Sequence, residues 1–133
     1  MDSQWRVLVV CSQPESSQRL VGIVSTWKLE SIAAGNLSEA RKVLQEQAVS
    51  LVFCEDTLPD GSYRDLLRMI TASGSRTLVV VMLREEQQYA EALQLGAFDV
   101  IPFRYRPSDI RWLIFHAIRH VQESRRPSQR KTA

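Results

Sequence analysis

The sequence predicts an α/β fold: a parallel sheet of five strands with helices on both faces. Three observations predict it. Several short runs are apolar throughout, as in Val7-Leu8-Val9-Val10, Leu51-Val52-Phe53-Cys54 and Leu78-Val79-Val80-Val81-Met82. Such runs suit strands covered on both faces, whereas a half-solvated sheet alternates apolar and polar residues. Between the runs lie stretches with apolar residues at helical period, long enough to return the chain for parallel pairing. Turn and cap residues stand at the joints, among them Pro14, Pro59-Asp60-Gly61, Gly74, Gly96 and Pro107.

The elements follow in order. Arg6 to Cys11 is the first strand. Ser12 or Gln13 can cap the next helix, with Pro14 in its first turn, where a missing N–H costs nothing. That helix is read from Glu15 to Trp27, with Leu20, Ile23, Val24 and Trp27 on one stripe. Leu29 to Ala34 is a weaker strand, and Gly35-Asn36 turns the chain. Ser38 caps a helix whose inner face is Ala40, Val43, Leu44 and Ala48. The central strand, Leu51 to Cys54, ends on Glu55 and Asp56 and breaks at Pro59-Asp60-Gly61. Ser62 caps a helix with Tyr63, Leu66, Leu67 and Ile70 inward, closed by Gly74. Thr77 to Leu83 is the most strongly β-forming run. A helix from Glu85 to Leu95 ends at Gly96, and Phe98 to Ile101 is the last strand. Pro107 opens a final helix with a stripe of Ile110, Leu113, Ile114, Ala117, Ile118 and Val121. The alternation is (βα)5, a three-layer, flavodoxin-like sandwich.

Composition narrows the function. The 133 residues are 44% hydrophobic and 24% charged, an ordinary globular balance. No apolar run approaches a membrane span and no leader is evident, so a cytoplasmic protein is expected. Cys11 and Cys54 lie in apolar strands and are expected as free thiols, since two such cysteines make neither a zinc site nor a disulfide framework. The whole chain carries +2 and residues 123–133 carry +3, which leaves −1 for the rest. A body this close to neutral has no electrostatic footprint for nucleic acid. Two segments are expected: a domain over 1–122, and a basic disordered tail or linker stub over 123–133.

Three pieces of sequence together carry a resemblance. They are Val7-Leu8-Val9-Val10, Leu58-Pro59-Asp60-Gly61 with Asp65-Leu66-Leu67 behind it, and Ala92-Leu93-Gln94-Leu95-Gly96-Ala97-Phe98-Asp99. In this order and spacing the chain resembles the receiver domain of bacterial two-component response regulators, over about residues 5–122. The resemblance implies a strand order of 2-1-3-4-5. It also implies a phosphorelay role, in which an aspartate takes a phosphoryl group from a histidine kinase with Mg²⁺.

Carried over residue by residue, the family's site is expected to be degenerate. The phosphoacceptor position, four before the proline of the turn, is Glu55. The acidic pair falls on Cys11 and Ser12. The hydroxyl ending the fourth strand falls on Val81, the aromatic switch on Val100, and the lysine on Phe103. A shifted register puts a Lys–Pro pair at Ile101-Pro102, and no lysine stands there either. Mg²⁺ demands carboxylate and water oxygens, so a thiol and a hydroxyl predict lost or very weak binding. No catalytic residue, no metal site and no cofactor are expected, and the chain is read as a non-enzyme. Phosphoryl transfer rests on positioning and charge neutralisation, which this set lacks.

The expected function is therefore a phosphorylation-independent protein-interaction module. With valines at the two readout positions, Glu55 reads as a tolerated acid in a locked domain rather than as a mimic of the phosphorylated state. Two alternatives stand beside it. One is a working receiver with Glu55 or Asp56 as an atypical acceptor. The other is a small-ligand sensor with a mouth lined by Cys11, Ser12, Glu55, Val81 and Phe103. Trp112 and Phe115 fall off the core stripe of the last helix beside Arg111 and Arg119, with Tyr105 ahead of it. Exposed aromatics with arginine mark interface hot spots. The expected partners are a protein, a tethered output domain, a kinase-pathway component, or a second copy meeting through the last strand and last two helices. His116 and His120, four apart with no third ligand nearby, read as surface residues rather than metal ligands.

Overall fold

Each apolar run becomes a strand because its backbone groups, once both faces are covered, find partners only on another strand. The structure, a computed structural model, describes residues 5–124. β1 (Arg6–Val10) leads into α1 (Pro14–Ser25), β2 (Glu30–Ala34), α2 (Leu37–Glu46) and β3 (Leu51–Glu55). A short hairpin, Thr57–Leu58 against Gly61–Ser62, precedes α3 (Tyr63–Ser73) and β4 (Leu78–Leu83). A 3₁₀ turn (Glu86–Gln88), α4 (Tyr89–Gln94), β5 (Asp99–Pro102) and α5 (Pro107–Ser124) complete the described chain.

The five long strands are parallel in the order β2-β1-β3-β4-β5, as the resemblance implied. Period-two alternation then splits the core. Val7, Val9, Leu51, Phe53, Val80 and Met82 face α1 and α5 with Leu20, Ile110 and Ile114. Leu8, Val10, Val52, Cys54, Val79 and Val81 face the other way, against Leu66, Leu67 and Ala92 of α3 and α4. Burying a large aliphatic side chain this fully contributes about 1.5–3 kcal/mol.

Several boundaries differ from the sequence reading. Asn36 caps α2, its Oδ1 accepting from the Glu39 N–H at 2.8 Å, so Ser38 lies inside the helix. Ala48 falls beyond α2 and is exposed, because the helix stops at Glu46. Neither Glu85 nor Gln88 makes a side-chain cap, and the helix read from Glu85 begins as a 3₁₀ turn. Ser62 caps α3 in a full capping box with Asp65, and Gly74 ends it at φ 71°. α5 runs through Ser124, past the expected end of the domain at 122, and residues 125–133 of the expected tail lie outside the described residues.

The turn between β3 and α3 does more than reverse the chain. Asp60 reaches across to accept from the N–H groups of Leu37 and Ser38 at 2.8 and 3.1 Å, a second cap on α2. These bonds, the Leu37 one foremost, hold its carboxyl below the ordinary range. Gly61 sits at φ 155°, where a Cβ would come 2.4 Å from Leu37 Cδ1 and 2.6 Å from Asp65 Oδ2. Only glycine fits that approach.

Candidate functional site

The carboxyl ends of β1, β3, β4 and β5 form a mouth, the place where open parallel sheets put ligands. β3 delivers Glu55 there, with 1% of the residue exposed. Ser12 follows β1 and donates to Glu55 Oε1 twice, from its backbone N–H at 2.8 Å and its hydroxyl at 3.0 Å. Gln13, not Ser12, is the cap residue of α1, and it makes no side-chain cap bond. Glu55 Oε2 is buried and has no hydrogen-bond partner.

Arg84 closes the mouth, and the sequence reading missed it. Its guanidinium pairs with Asp56 Oδ1 and stands 3.7 Å from Glu55 Oε2. Its backbone N–H donates to Asp56 Oδ2 at 2.9 Å. The guanidinium also lies over the Phe103 ring, 3.8 Å from the centroid, a cation–π contact. Alternation along a strand places Glu55 and Asp56 on opposite faces, yet at the end of β3 both carboxylates reach one arginine. Asp56 is buried, not splayed into solvent. One signal pointed to Arg84: it is the first charged residue after the longest apolar strand.

The other positions fall as follows. Cys11 is buried beside Glu55; burial first, and then the Glu55 charge, push its thiol up to about 12. Cys54 is pushed well above the ordinary thiol value by burial. Both are free neutral thiols, poor ligands and poor nucleophiles. Val81 does not end its strand. β4 continues to the buried Leu83, whose carbonyl accepts from the Phe103 N–H at 2.8 Å, so Met82 is level with Glu55. Val81 and Val100 are paired in register across β4 and β5 and share the α3–α4 side of the core.

The cavity at the mouth is lined differently from the one read from sequence. A cavity of about 380 Å³ is lined by Cys11, Met82, Phe103 and Tyr105, with the exposed Arg19 and Arg104. Ser12, Glu55 and Val81 do not line it, because Ser12 and Arg84 close over the carboxylate and Val81 faces the other layer. Among the described residues, no group of three or more His, Cys, Asp or Glu is arranged to hold a metal ion. No helix among them is long and apolar enough to cross a membrane.

The expected interface residues separate. Tyr105 is buried in the α1–α5 layer, with the Arg19 guanidinium 5.0 Å from its ring centre, and is no surface contact. It is drawn in because the turn into α5 aims it beneath α1. Arg111 and Arg119 are exposed, as are Trp112 at 58% and Phe115 at 44%; Leu93 on α4 adds another large apolar side chain at 50%. His116 stacks on Trp112 at 5.1 Å and His120 meets the Phe98 ring edge at 5.1 Å. Both histidines are exposed.

Comparison with known proteins agrees with this geometry. The chain is similar to the response regulator protein PilR of Pseudomonas aeruginosa, 30% identical over 110 residues. That match takes in 81% of this chain and 24% of PilR, so the chain spans about a quarter of the curated relative's length. No protein-family model matches. Among solved structures, the signal receiver domain of a Luxo repressor protein from Vibrio parahaemolyticus superposes with a TM-score of 0.87 at 16% identity, covering 92% of this chain and 95% of that one. A response regulator receiver domain protein from Clostridium thermocellum gives 0.82 at 19%, over 89% and 97%. The beryllofluoride-activated NtrC4 receiver domain dimer gives 0.81 at 21%, over 86% and 97%. The fold is that of response-regulator receiver domains, and the resemblance drawn from the motifs holds in three dimensions.

Proposed function

We propose that this receiver-type chain serves two-component signalling as a protein-interaction module that takes no phosphoryl group. One observation carries the reading: the carboxylate at the acceptor position is already engaged, by two Ser12 donors on Oε1 and by Arg84 beside Oε2. A nucleophilic oxygen must be open to in-line attack and flanked by groups that neutralise the incoming charge. Glu55 is enclosed, and Asp56, the other candidate acceptor, has both oxygens on Arg84. Phe103 takes the place where the family implies a lysine and turns its ring to Arg84.

The partner surface in this reading is the exposed pair Trp112 and Phe115 on α5, whose rings lie 6.2 Å apart. A desolvated tryptophan anchor flanked by arginine is the usual make-up of a hot spot. The solved NtrC4 receiver is a dimer, and a second copy is one occupant of this face; an output domain or pathway protein is the other. Non-enzymatic action in the cytoplasm belongs to the same proposal.

The test is a two-dimensional amide spectrum with and without Mg²⁺ and beryllofluoride, the stable analogue of an acyl phosphate. Unchanged spectra at millimolar concentrations are expected. Saturable shifts at Glu55, Asp56 and the end of β4 would restore the phosphorelay reading. The cavity beside Cys11 supports a second reading, a small-ligand sensor with an apolar floor and two arginines. A thermal-shift screen of nucleotides and metabolites addresses it, and a raised melting temperature that Arg104→Ala abolishes is its signature.

A further inference from the structure

The receiver resemblance implies Mg²⁺ at the mouth, and the residues present do not fit it. Cys11 offers a neutral thiol, Ser12 spends its hydroxyl on Glu55, and one carboxylate oxygen carries two hydrogen bonds already. What the mouth does hold is a positive charge of its own. The Arg84 guanidinium touches Asp56, lies 3.7 Å from the orphaned Glu55 Oε2 and rests on Phe103.

We propose that Arg84 is the resident cation of this site, a fixed counter-charge shared by Glu55 and Asp56 in place of a divalent ion. The inference rests on the degenerate-receiver reading above and assigns that site its regulation. Charge supports it. Two adjacent carboxylates, 1% and 9% exposed by side chain, are untenable without a counter-charge. Arg84 supplies it covalently, and Ser12 completes the shell with neutral donors. Chemistry supports it too. A guanidinium is planar and weakly hydrated, so it serves two carboxylates while stacking on an aromatic face, which a lysine does poorly. Phe103 is therefore the wall that holds the cation in place. The consequence is permanence: a metal or phosphoryl group comes and goes with concentration or a kinase, whereas a side chain is always present. Arg84 thereby ties the end of β3 to the segment after β4 in one arrangement, with no ligand to release it. Its side chain remains 47% exposed, so it covers the acidic pair as a latch, not as part of the core.

Arg84→Met tests this, since methionine keeps an apolar stem over Phe103 and removes the charge. Mn²⁺ is the probe, a hard cation suited to carboxylates whose paramagnetism broadens nearby amide signals. In the native chain, no site-specific broadening is expected at millimolar Mn²⁺. In Arg84→Met, saturable broadening is expected at Ser12, Glu55 and Asp56, with at least tenfold tighter binding, and a melting temperature that rises with Mn²⁺ in the variant alone. Equal broadening in both proteins, or broadening in neither, overturns the proposal. If Arg84→Met does not fold, the native protein decides: the Arg84 Nη–H signals are expected to be resolved and slow to exchange, and to collapse in Asp56→Asn. A solvent-averaged Arg84 signal overturns the proposal. Failure of the degenerate-receiver reading shows elsewhere, as beryllofluoride-dependent shifts in the native chain.

Discussion

Three arginine–aromatic–carboxylate trios occur among the described residues, and they differ chiefly in burial. At the mouth, Arg84 lies over Phe103 and pairs with Asp56, whose side chain is 9% exposed. On α5, Arg119 lies 5.9 Å from the Phe115 ring centre and pairs with Glu123, which is 61% exposed. Between them, Arg64 stacks near Tyr63 at 4.9 Å and binds Glu91 through two bonds of 2.7 and 2.8 Å. The residue types are alike and the energetics are not. A buried carboxylate that loses its partner is stranded, while a solvated one turns to water. The mouth trio is therefore a lock. The α5 trio leaves its aromatic open to a partner.

Removing the carboxylate from the buried trio is the largest test. Asp56→Ala strips Arg84 of a charge-assisted pair and strands its backbone N–H, and a loss of about 3 kcal/mol is expected. The urea midpoint should fall with an unchanged slope; a midpoint within error of the native one breaks the contrast. Next is the turn that follows the acidic pair. Gly61→Ala forces a Cβ against Leu37 and Asp65, and a cost of about 1–3 kcal/mol is expected. Calorimetry checks it, and an unchanged melting temperature shows that the mouth's wall yields.

The intermediate trio predicts a pH signature. Hydrogen bonds from Arg64 first, and then from Tyr63, lower the Glu91 carboxyl from its ordinary 4.5 to about 2. A lowered folded value stabilises above the unfolded value and loses that contribution as pH falls from 4.5 toward 2. Glu91→Gln should thus separate from the native protein at neutral pH and converge with it at the acid end. Parallel pH–stability curves contradict the assignment. The smallest stability effect belongs to the open face. Trp112→Ala with Phe115→Ala should shift stability by no more than about 0.5 kcal/mol while abolishing self-association or partner capture, as sedimentation velocity or pull-down reads it.

Local pattern made much of the molecule legible. Uninterrupted apolar runs marked the strands, Ser62 marked a helix cap, and Gly74 a helix stop. The stripe of α5 separated its buried Ile110, Leu113, Ile114 and Ala117 from the exposed Trp112 and Phe115. Motif spacing put Glu55 and Ser12 at the carboxyl ends of two neighbouring strands, where they bond. Tyr105 was misjudged because a residue in a turn carries no period to say which way it faces.

The sequence by itself thus determined the layering of the sheet and the stop of α3 at Gly74. Only the tertiary structure decided how the charged groups at the strand ends are satisfied. Asp60 caps a helix that begins 23 residues earlier in the chain, and Arg84 meets Asp56, 28 residues before it. Apolar burial is written as a local periodicity, because each residue needs only to face inward. Charge compensation is a pairing between specific atoms, and the partners become neighbours only when the sheet has formed.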